Sequence, residues 1–258
     1  MLKKRIIFTL LYNNGYFIQS RNFRRQKIGT KQWINKNYNF SYVSNFIDEL
    51  IILDISKIKK KKKFIQDCKS VSNKVFVPIS LGGGINSHDD AKFYFNNGAD
   101  KVILNTSVYK TPKILEKISE DYGSSSIIVS IDVKNINGKY IVFVNNGTEN
   151  TNIVLENYLD MISNYNFAEI YLNSIDRDGT GYGIDLNLLN RLKNLDFKLI
   201  VSGGLGNFNH FLQAFKHINK VEAVATSNLL NFVGNSLQVV RNNLLKKKIS
   251  LSRRSKIL

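Results

Sequence analysis

Apolar and polar positions follow two different periodicities along the chain. Short runs of Ile, Val and Leu, typical of buried strands, are followed by longer segments whose apolar residues recur at helical spacing. The predicted strands cover residues 5–11, 49–54, 75–81, 100–105, 126–132, 168–173, 198–202 and 221–225. The predicted helices cover residues 34–46, 57–69, 87–96, 112–121, 153–165, 185–194, 207–217 and 234–246. Eight strands that alternate strictly with eight helices predict an α/β fold, a single (β/α)8 (TIM) barrel.

The second half of the chain repeats the pattern of the first. The strand "RIIFTLLYNN" (5–14) has a counterpart in "SIIVSIDVKN" (126–135), and "DELIILDIS" (48–56) has one in "AEIYLNSID" (168–176). The glycine pair at 83–84 returns at 203–204, and Thr106 and Ser227 lie 121 positions apart. Repeated offsets of this kind predict two half-barrels, at about 1–122 and 123–246, within one barrel domain over 1–246. A basic C-terminal tail follows at 247–258.

Composition limits the class of protein. A chain of 258 residues with 43% hydrophobic residues has the size of one such barrel. It has no long apolar run and a single cysteine, Cys68, so we expect a soluble cytoplasmic protein without a disulfide. The net charge of +17 comes largely from lysine runs at 57–64 and 246–256, and no nucleic-acid-binding motif accompanies it. We therefore expect no nucleic-acid partner and no membrane insertion; phosphate-bearing substrates or an acidic protein partner fit the charge.

Anion-binding patterns follow four of the predicted strands. "LGGGIN" after strand 3 and "SGGLGN" after strand 7 are glycine turns that let backbone N–H groups approach an anion, and "NTS" and "TSN" bring hydroxyls to the neighbouring strand ends. Because carboxyl strand ends carry the active site of such barrels, the repeat predicts two phosphate pockets there. The alternative is that the glycines only make tight turns.

Candidate proton-transfer groups lie at the same strand ends. Asp132 ends a strand of otherwise β-branched and small residues, which makes it the strongest candidate for an acid or base. The histidines, His88, His210 and His217, fall on or beside predicted helices at no metal-ligand spacing. We therefore predict no metal and no cofactor.

Several motifs together resemble the cyclase subunit of imidazole glycerol phosphate synthase, the HisF family. They are "LKKRII", "DELIILDIS", "SLGGGI", "GADKVILNTS", "SIDVK", "NSIDRDGTGYGIDL" and "VSGGLGNFNHF", and the match extends from about residue 2 to 246. The resemblance implies an enzyme, a lyase that takes ammonia from a HisH glutaminase. In that family the ammonia passes through the barrel to a bisphosphorylated substrate, which is cyclised and cleaved to imidazole glycerol phosphate and an aminoimidazole carboxamide ribotide.

The resemblance also assigns roles to residues. It implies phosphate binding by a set of glycines, amides and hydroxyls: Gly83, Gly84, Asn105, Thr106, Gly179, Gly204, Thr226 and Ser227. It implies that Asp178 holds substrate hydroxyls and that Asp132 is one of two catalytic aspartates. At the opposite end of the barrel it implies an ammonia gate of four charges, where the glutaminase docks: Arg5, Glu49, Lys101 and Glu169.

Two positions depart from the family pattern. The first catalytic aspartate is replaced by Leu11, and the lysine of the following loop is Gln19. A leucine cannot transfer a proton. Leucine at the end of strand 1, together with retained gate and phosphate sites, resembles a paralogous branch called WbuZ, which is associated with surface-polysaccharide biosynthesis. The main hypothesis is a barrel that channels ammonia from a HisH-like glutaminase to acetamidino-sugar formation for surface polysaccharide such as O-antigen, with a sugar amidotransferase as a further partner. The alternatives are a genuine histidine-pathway cyclase and a non-catalytic scaffold that activates its glutaminase.

Overall fold

A closed barrel of eight parallel strands forms the centre of the molecule. The computed structural model describes residues 3–194, 196–227 and 236–252. The barrel strands are β1 (Arg5–Asn13), β4 (Glu49–Asp54), β5 (Ile79–Gly82), β6 (Lys101–Leu104), β7 (Ile127–Ile136), β10 (Glu169–Ser174), β11 (Leu199–Ser202) and β12 (Val221–Thr226). Each pairs in parallel with the next, and β12 pairs with β1 to close the ring. The predicted (β/α)8 barrel is therefore confirmed.

Helices connect successive barrel strands and cover the outside of the barrel. They are α1 (Lys31–Asn37), α2 (Phe40–Val43), α3 (Lys61–Ser72), α4 (His88–Phe95), α5 (Thr106–Lys110), α6 (Ile114–Tyr122), α7 (Leu155–Ile162), α8 (Leu186–Arg191), α9 (Phe208–His217) and α10 (Ser236–Lys246). The predicted helix at 34–46 is two short helices, because the chain is extended at Tyr38. In the described part of the chain, none of these helices has the length and apolar character needed to cross a bilayer.

Two β-hairpins extend from the barrel and were not predicted. Strand β1 continues into β2 (Tyr16–Arg21) and β3 (Arg24–Thr30), and β7 continues into β8 (Lys139–Val144) and β9 (Glu149–Val154). Each barrel strand turns back through an Asn-Gly pair with positive φ, Asn14–Gly15 in the first hairpin and Asn137–Gly138 in the second. This is the turn chemistry that two-residue hairpins favour. Both hairpins extend from the carboxyl end of the barrel.

The apolar core has two parts, one on each side of the barrel wall. The larger part lies between the sheet and the surrounding helices. The smaller part fills the barrel axis with the side chains of Ile7, Ile51, Ile103, Ile128, Tyr171, Ile200, Ala223 and Ala225. Residues along each strand alternate between the two, as a pleated strand requires. The axis is therefore packed with apolar groups between the two ends of the barrel.

The division into two half-barrels stays a prediction, and one feature supports it. The first strand of each half, β1 and β7, is the one that continues into an antiparallel hairpin. The predicted tail at 247–258 begins within the packed structure, since Leu251 is buried and forms a parallel bridge with Lys4. Residues 253–258 lie outside the described residues. The start of the tail thus packs beside the first strand, next to Arg5.

Candidate functional site

A cavity of about 570 Å³ opens at the carboxyl end of the barrel, where the sequence predicted the active site. Leu11 and Asp132 both line it, as do Asn105 and Thr106 from the loop after β6. The floor is formed by Thr9, Ser130, Tyr171 and Ser202, which belong to the inner face of the strands. The cavity therefore extends from the mouth to the top of the packed axis.

Asp132 is one of two buried carboxyl groups that line this cavity, the other being Asp54. Asp132 Oδ2 accepts a hydrogen bond from Asn105 Nδ2 at 2.9 Å, and its Oδ1 accepts one from Asn173 Nδ2 at 3.5 Å. Burial outweighs these bonds and raises the pKa of Asp132 to about 7. A carboxyl group that is half protonated near neutral pH can both donate and accept a proton. The geometry thus suits the acid–base role that the sequence predicted, although the role itself stays a prediction.

The glycine turn after β5 brings backbone close to backbone. Gly83 has φ +104°, and a Cβ there would lie 2.1 Å from the carbonyl oxygen of Asp54. Only glycine fits such an approach. Gly84, Asn105 and Thr106 line the same side of the cavity. The Thr106 hydroxyl accepts a hydrogen bond from the backbone N–H of Asn145 at 3.0 Å, so the turn between β8 and β9 lies against this predicted phosphate pocket.

The second predicted phosphate pocket is an adjoining cavity of about 580 Å³, which shares Ser227 with the first. Gly179, Gly204, Thr226 and Ser227 line it, as predicted from the repeat. Gly204 has φ +88°, and a Cβ there would lie 2.1 Å from the carbonyl oxygen of Gly183, so this turn too brings backbone close to backbone. The sequence-predicted phosphate residues thus fall into two groups, one on each side of the mouth.

Asp178 lies between the two cavities and lines both. Its Oδ2 accepts hydrogen bonds from Ser20 Oγ at 2.6 Å and from the backbone N–H of Phe23 at 3.0 Å. Burial raises the pKa of Asp178 although both of these donors oppose the shift. Asp178 therefore anchors the first hairpin over the mouth, a contact that sequence reasoning did not find. Its predicted role toward substrate hydroxyls stays a prediction.

Four charged side chains meet at the opposite, amino-terminal end of the barrel. Arg5 donates hydrogen bonds to both Glu49 and Glu169, and Lys101 Nζ lies 3.4 Å from Glu49 Oε1 and 3.3 Å from Glu169 Oε2. Burial opposes ionisation of Glu169, but Arg5 and Lys101 hold its pKa below its ordinary value. The signs alternate around the axis, and the net charge is zero. The structure thus brings together all four residues that the sequence assigned to the gate.

Tyr171 connects the packed axis to the mouth and was missed by sequence reasoning. Its ring lies in the inner apolar layer, while its hydroxyl donates a hydrogen bond to Ser202 Oγ at 3.1 Å and lies 3.5 Å from Thr9 Oγ1. Burial raises the pKa of this hydroxyl, which therefore stays neutral. Its position in "AEIYLNSID", two residues after the predicted gate residue Glu169 on the same face of the strand, was the signal that could have identified it.

Comparisons with known proteins agree with the geometry. The family described as histidine biosynthesis protein matches residues 5–233. A putative imidazole glycerol phosphate synthase subunit hisF2 of Parasynechococcus marenigrum is 46% identical over 98% of this chain and 95% of its own. The HisF subunit of Chlorobium limicola is 36% identical over 90% of this chain and 92% of its own. That of Chloroherpeton thalassium is 34% identical over 97% and 99%. This chain therefore belongs to the histidine biosynthesis protein family, as a homologue of the synthase subunit HisF.

Proposed function

We propose that this chain is the ammonia-accepting synthase subunit of a glutamine-dependent enzyme and acts as the cyclase of imidazole glycerol phosphate synthase. The observation that carries the proposal is the order of groups along one axis. A neutral ring of Arg5, Glu49, Lys101 and Glu169 closes one end, an apolar layer follows, and a mouth with a buried acid and two anion pockets forms the other end. A barrel with this order of groups can receive a small neutral nucleophile at one end and use it at the other.

The proposed path keeps ammonia out of contact with water. In water at neutral pH, ammonia is mostly protonated and no longer nucleophilic, whereas an apolar layer admits the neutral form more readily than the ion. A glutaminase of the HisH type would bind across the charged ring and release ammonia there. At the mouth, Asp132 would move the protons that the addition of ammonia and the loss of water require. The two glycine-lined pockets would hold the two phosphates of the substrate.

A second candidate is the sugar-amidination pathway, and Leu11 is the observation that favours it. Leu11 lines the mouth cavity where the HisF pattern has its first catalytic aspartate, so one of two proton-transfer groups is missing. The names of the relatives support the histidine-pathway cyclase better than this candidate, because those relatives are imidazole glycerol phosphate synthase subunits. The two candidates share the ammonia path and differ in the acceptor.

Reconstitution with a HisH-type glutaminase tests the proposal. We expect this chain to bind that partner, to stimulate its hydrolysis of glutamine, and to convert the bisphosphorylated cyclase substrate when glutamine or ammonium is supplied. If the chain stimulates the glutaminase but does not convert the substrate, the ammonia path is supported and the acceptor of ammonia is a different molecule, as in the second candidate. If the chain neither binds the glutaminase nor stimulates it, the ammonia-accepting role itself is overturned.

The same reconstitution separates a catalytic barrel from a scaffold. Asp132→Asn removes the proton but keeps the shape of the side chain, and the ring at the other end of the barrel is untouched. We expect loss of product with full stimulation of the glutaminase. Product formation that is unchanged in this variant would instead support a scaffold that only activates its partner.

A further inference from the structure

Lys59 lies across the first glycine pocket. Its side chain packs directly on Gly84, where a Cβ would lie 2.8 Å from Lys59 Cγ and 3.0 Å from Cδ and Cε. Gly84 also has φ +72°, a conformation that side chains rarely adopt, and a side chain there would displace Lys59 from this path. Only 23% of the Lys59 side chain is exposed, and it lines the mouth cavity together with Gly83 and Gly84. The cationic end of the side chain is thus held beside the turn that sequence analysis assigned to phosphate.

A second cation lies near Lys59, and the carboxylate beside it compensates only part of the charge. Burial lowers the pKa of Lys59, Asp54 opposes this shift, and Arg25, which comes from the first hairpin and lines the same cavity, lowers the pKa further. Lys59 Nζ donates a hydrogen bond to the backbone carbonyl oxygen of Asp54, whereas its distance of 3.8 Å from Asp54 Oδ1 is beyond ordinary hydrogen-bond distance. Two cations that repel each other in a half-buried pocket are stabilised when an anion binds between them.

The two anion pockets differ in charge. The cavity of Gly83 and Gly84 is lined by four cationic side chains, Arg25, Lys57, Lys59 and Lys110. Among the described residues that line the cavity of Gly204, Arg21 is the one cationic side chain. The half-barrel repeat places Gly179 and Asn146 at the positions that correspond to Lys59 and Arg25, with offsets of 120 and 121. The cations therefore belong to one side of the mouth and are not a product of the repeat.

We propose that Lys59 and Arg25 form an anion clamp that holds one phosphate-bearing end of the substrate on the Gly83–Gly84 turn. The inference deepens the proposed function and rests on it, because it assigns two cationic residues to one of the two phosphate pockets. One end of the substrate binds between these cations at the turn, and its other end binds near Gly204, where the described lining holds no comparable pair of cations. Asp54 acts as the positioning residue that holds Lys59 in place.

Anion binding to the single chain tests the clamp without a glutaminase. Isothermal titration at low ionic strength with inorganic phosphate, and separately with pyrophosphate, measures the affinity of the wild type, Lys59→Gln and Arg25→Gln. Lys62→Gln is the matched control, because Lys62 belongs to the same lysine run, is exposed, and undergoes the same change of charge. Since one charge-assisted hydrogen bond contributes about 1.5–3 kcal/mol, we expect Lys59→Gln to weaken binding by roughly tenfold or more. Lys62→Gln should change it by less than about twofold, as a screened surface charge does.

The two probes show which anion the clamp fits. If the variants lose more affinity for pyrophosphate than for phosphate, the clamp fits a diphosphate group, and equal losses of affinity indicate that it fits a single phosphate. Equal affinities of Lys59→Gln and Lys62→Gln for both anions would overturn the clamp, as would a wild type that binds neither anion. Such a result does not affect the ammonia-accepting role. That role is tested by stimulation of the glutaminase, and this stimulation does not require Lys59. Thermal unfolding of each variant verifies that the barrel has folded.

Discussion

Leu11 and Asp132 line the same cavity from equivalent positions of the two predicted half-barrels. Leu11 pairs with Ile18 in the hairpin that follows β1, and Asp132 pairs with Phe143 in the hairpin that follows β7. On the barrel side, Leu11 pairs with Leu53 and Asp132 pairs with Asn173. Asp132 thus has polar neighbours that bond its carboxyl group, whereas Leu11 has apolar ones. The first half of the mouth is built around hydrocarbon and the second half around a carboxyl group.

Restoring a carboxyl group at position 11 tests the importance of this asymmetry. We expect Leu11→Asp to raise ammonium-dependent turnover of the bisphosphorylated substrate, because general acid–base catalysis contributes about 10²–10⁴ in rate. Leu11→Asn is the control, since it has nearly the same shape and polarity but does not transfer a proton at neutral pH. Turnover that rises equally in both variants would show that polarity at this position, and not proton transfer, limits the reaction.

Much of the barrel could be predicted because strand and helix periods are strong signals. The parallel strands are buried on both faces, and their Ile and Val runs identify them to within a few residues. The predicted gate and the mouth could be located in the sequence because they lie at the two ends of these strands. Gly83 and Gly204, Asn105 and Thr226 all occur where a strand stops, so their place at the mouth depends on topology alone.

The hairpins and the contacts across the mouth could not be predicted in the same way. The turns Asn14–Gly15 and Asn137–Gly138 were local signals for hairpins, but the predicted barrel strand ended before each of them. The contact between Asp178 and Ser20 joins residues 158 positions apart and depends on how the hairpin folds over the barrel. Lys59 belongs to a lysine run whose members look alike in sequence. Only the packing on Gly84 separates it from its neighbours.

The charged ring makes a prediction about stability. Arg5→Met removes one cation from a neutral group and leaves Glu49 and Glu169, which are both buried, with Lys101 alone. We expect the free energy of unfolding to fall by about 3–5 kcal/mol, the usual cost of breaking a buried ion pair. Urea unfolding at neutral pH measures it. Adding Glu169→Gln restores a net charge of zero and should recover part of the loss. A double variant that is less stable than Arg5→Met would contradict this electrostatic account.

The raised pKa of Asp132 predicts how stability depends on pH. Its pKa is about 7 in the folded protein and 3.8 as the ordinary value, so the folded state binds more protons between these two values. The contribution of Asp132 to stability is therefore present below about pH 4 and is lost as the pH rises through 7. Asparagine does not ionise, so Asp132→Asn should gain stability relative to the wild type from pH 4 to pH 8. The gain is on the order of a few kcal/mol. Urea unfolding of both proteins across this range measures the difference, and a constant difference would contradict the pKa.

Tyr171 offers a test of the path itself. Its side chain fills the layer between the charged ring and the mouth, so a larger side chain there should narrow the passage. We expect Tyr171→Trp to lower glutamine-dependent product formation severalfold while ammonium-dependent formation is largely kept, because added ammonium reaches the mouth directly. Overpacking of this kind costs about 1–3 kcal/mol, so the stability of the variant is measured alongside.

Tyr171→Phe is the control for size, because it removes the hydroxyl contact with Ser202 and keeps the ring in the apolar layer. Its ratio of glutamine-dependent to ammonium-dependent product should match that of the wild type. If Tyr171→Trp lowers both activities equally, the side chain affects the mouth and not the passage. If Tyr171→Phe alone changes the ratio, the hydroxyl takes part in passing ammonia from the apolar layer to the polar floor at Thr9 and Ser202. Either result would show whether ammonia passes the side chain of Tyr171 on its way to the mouth.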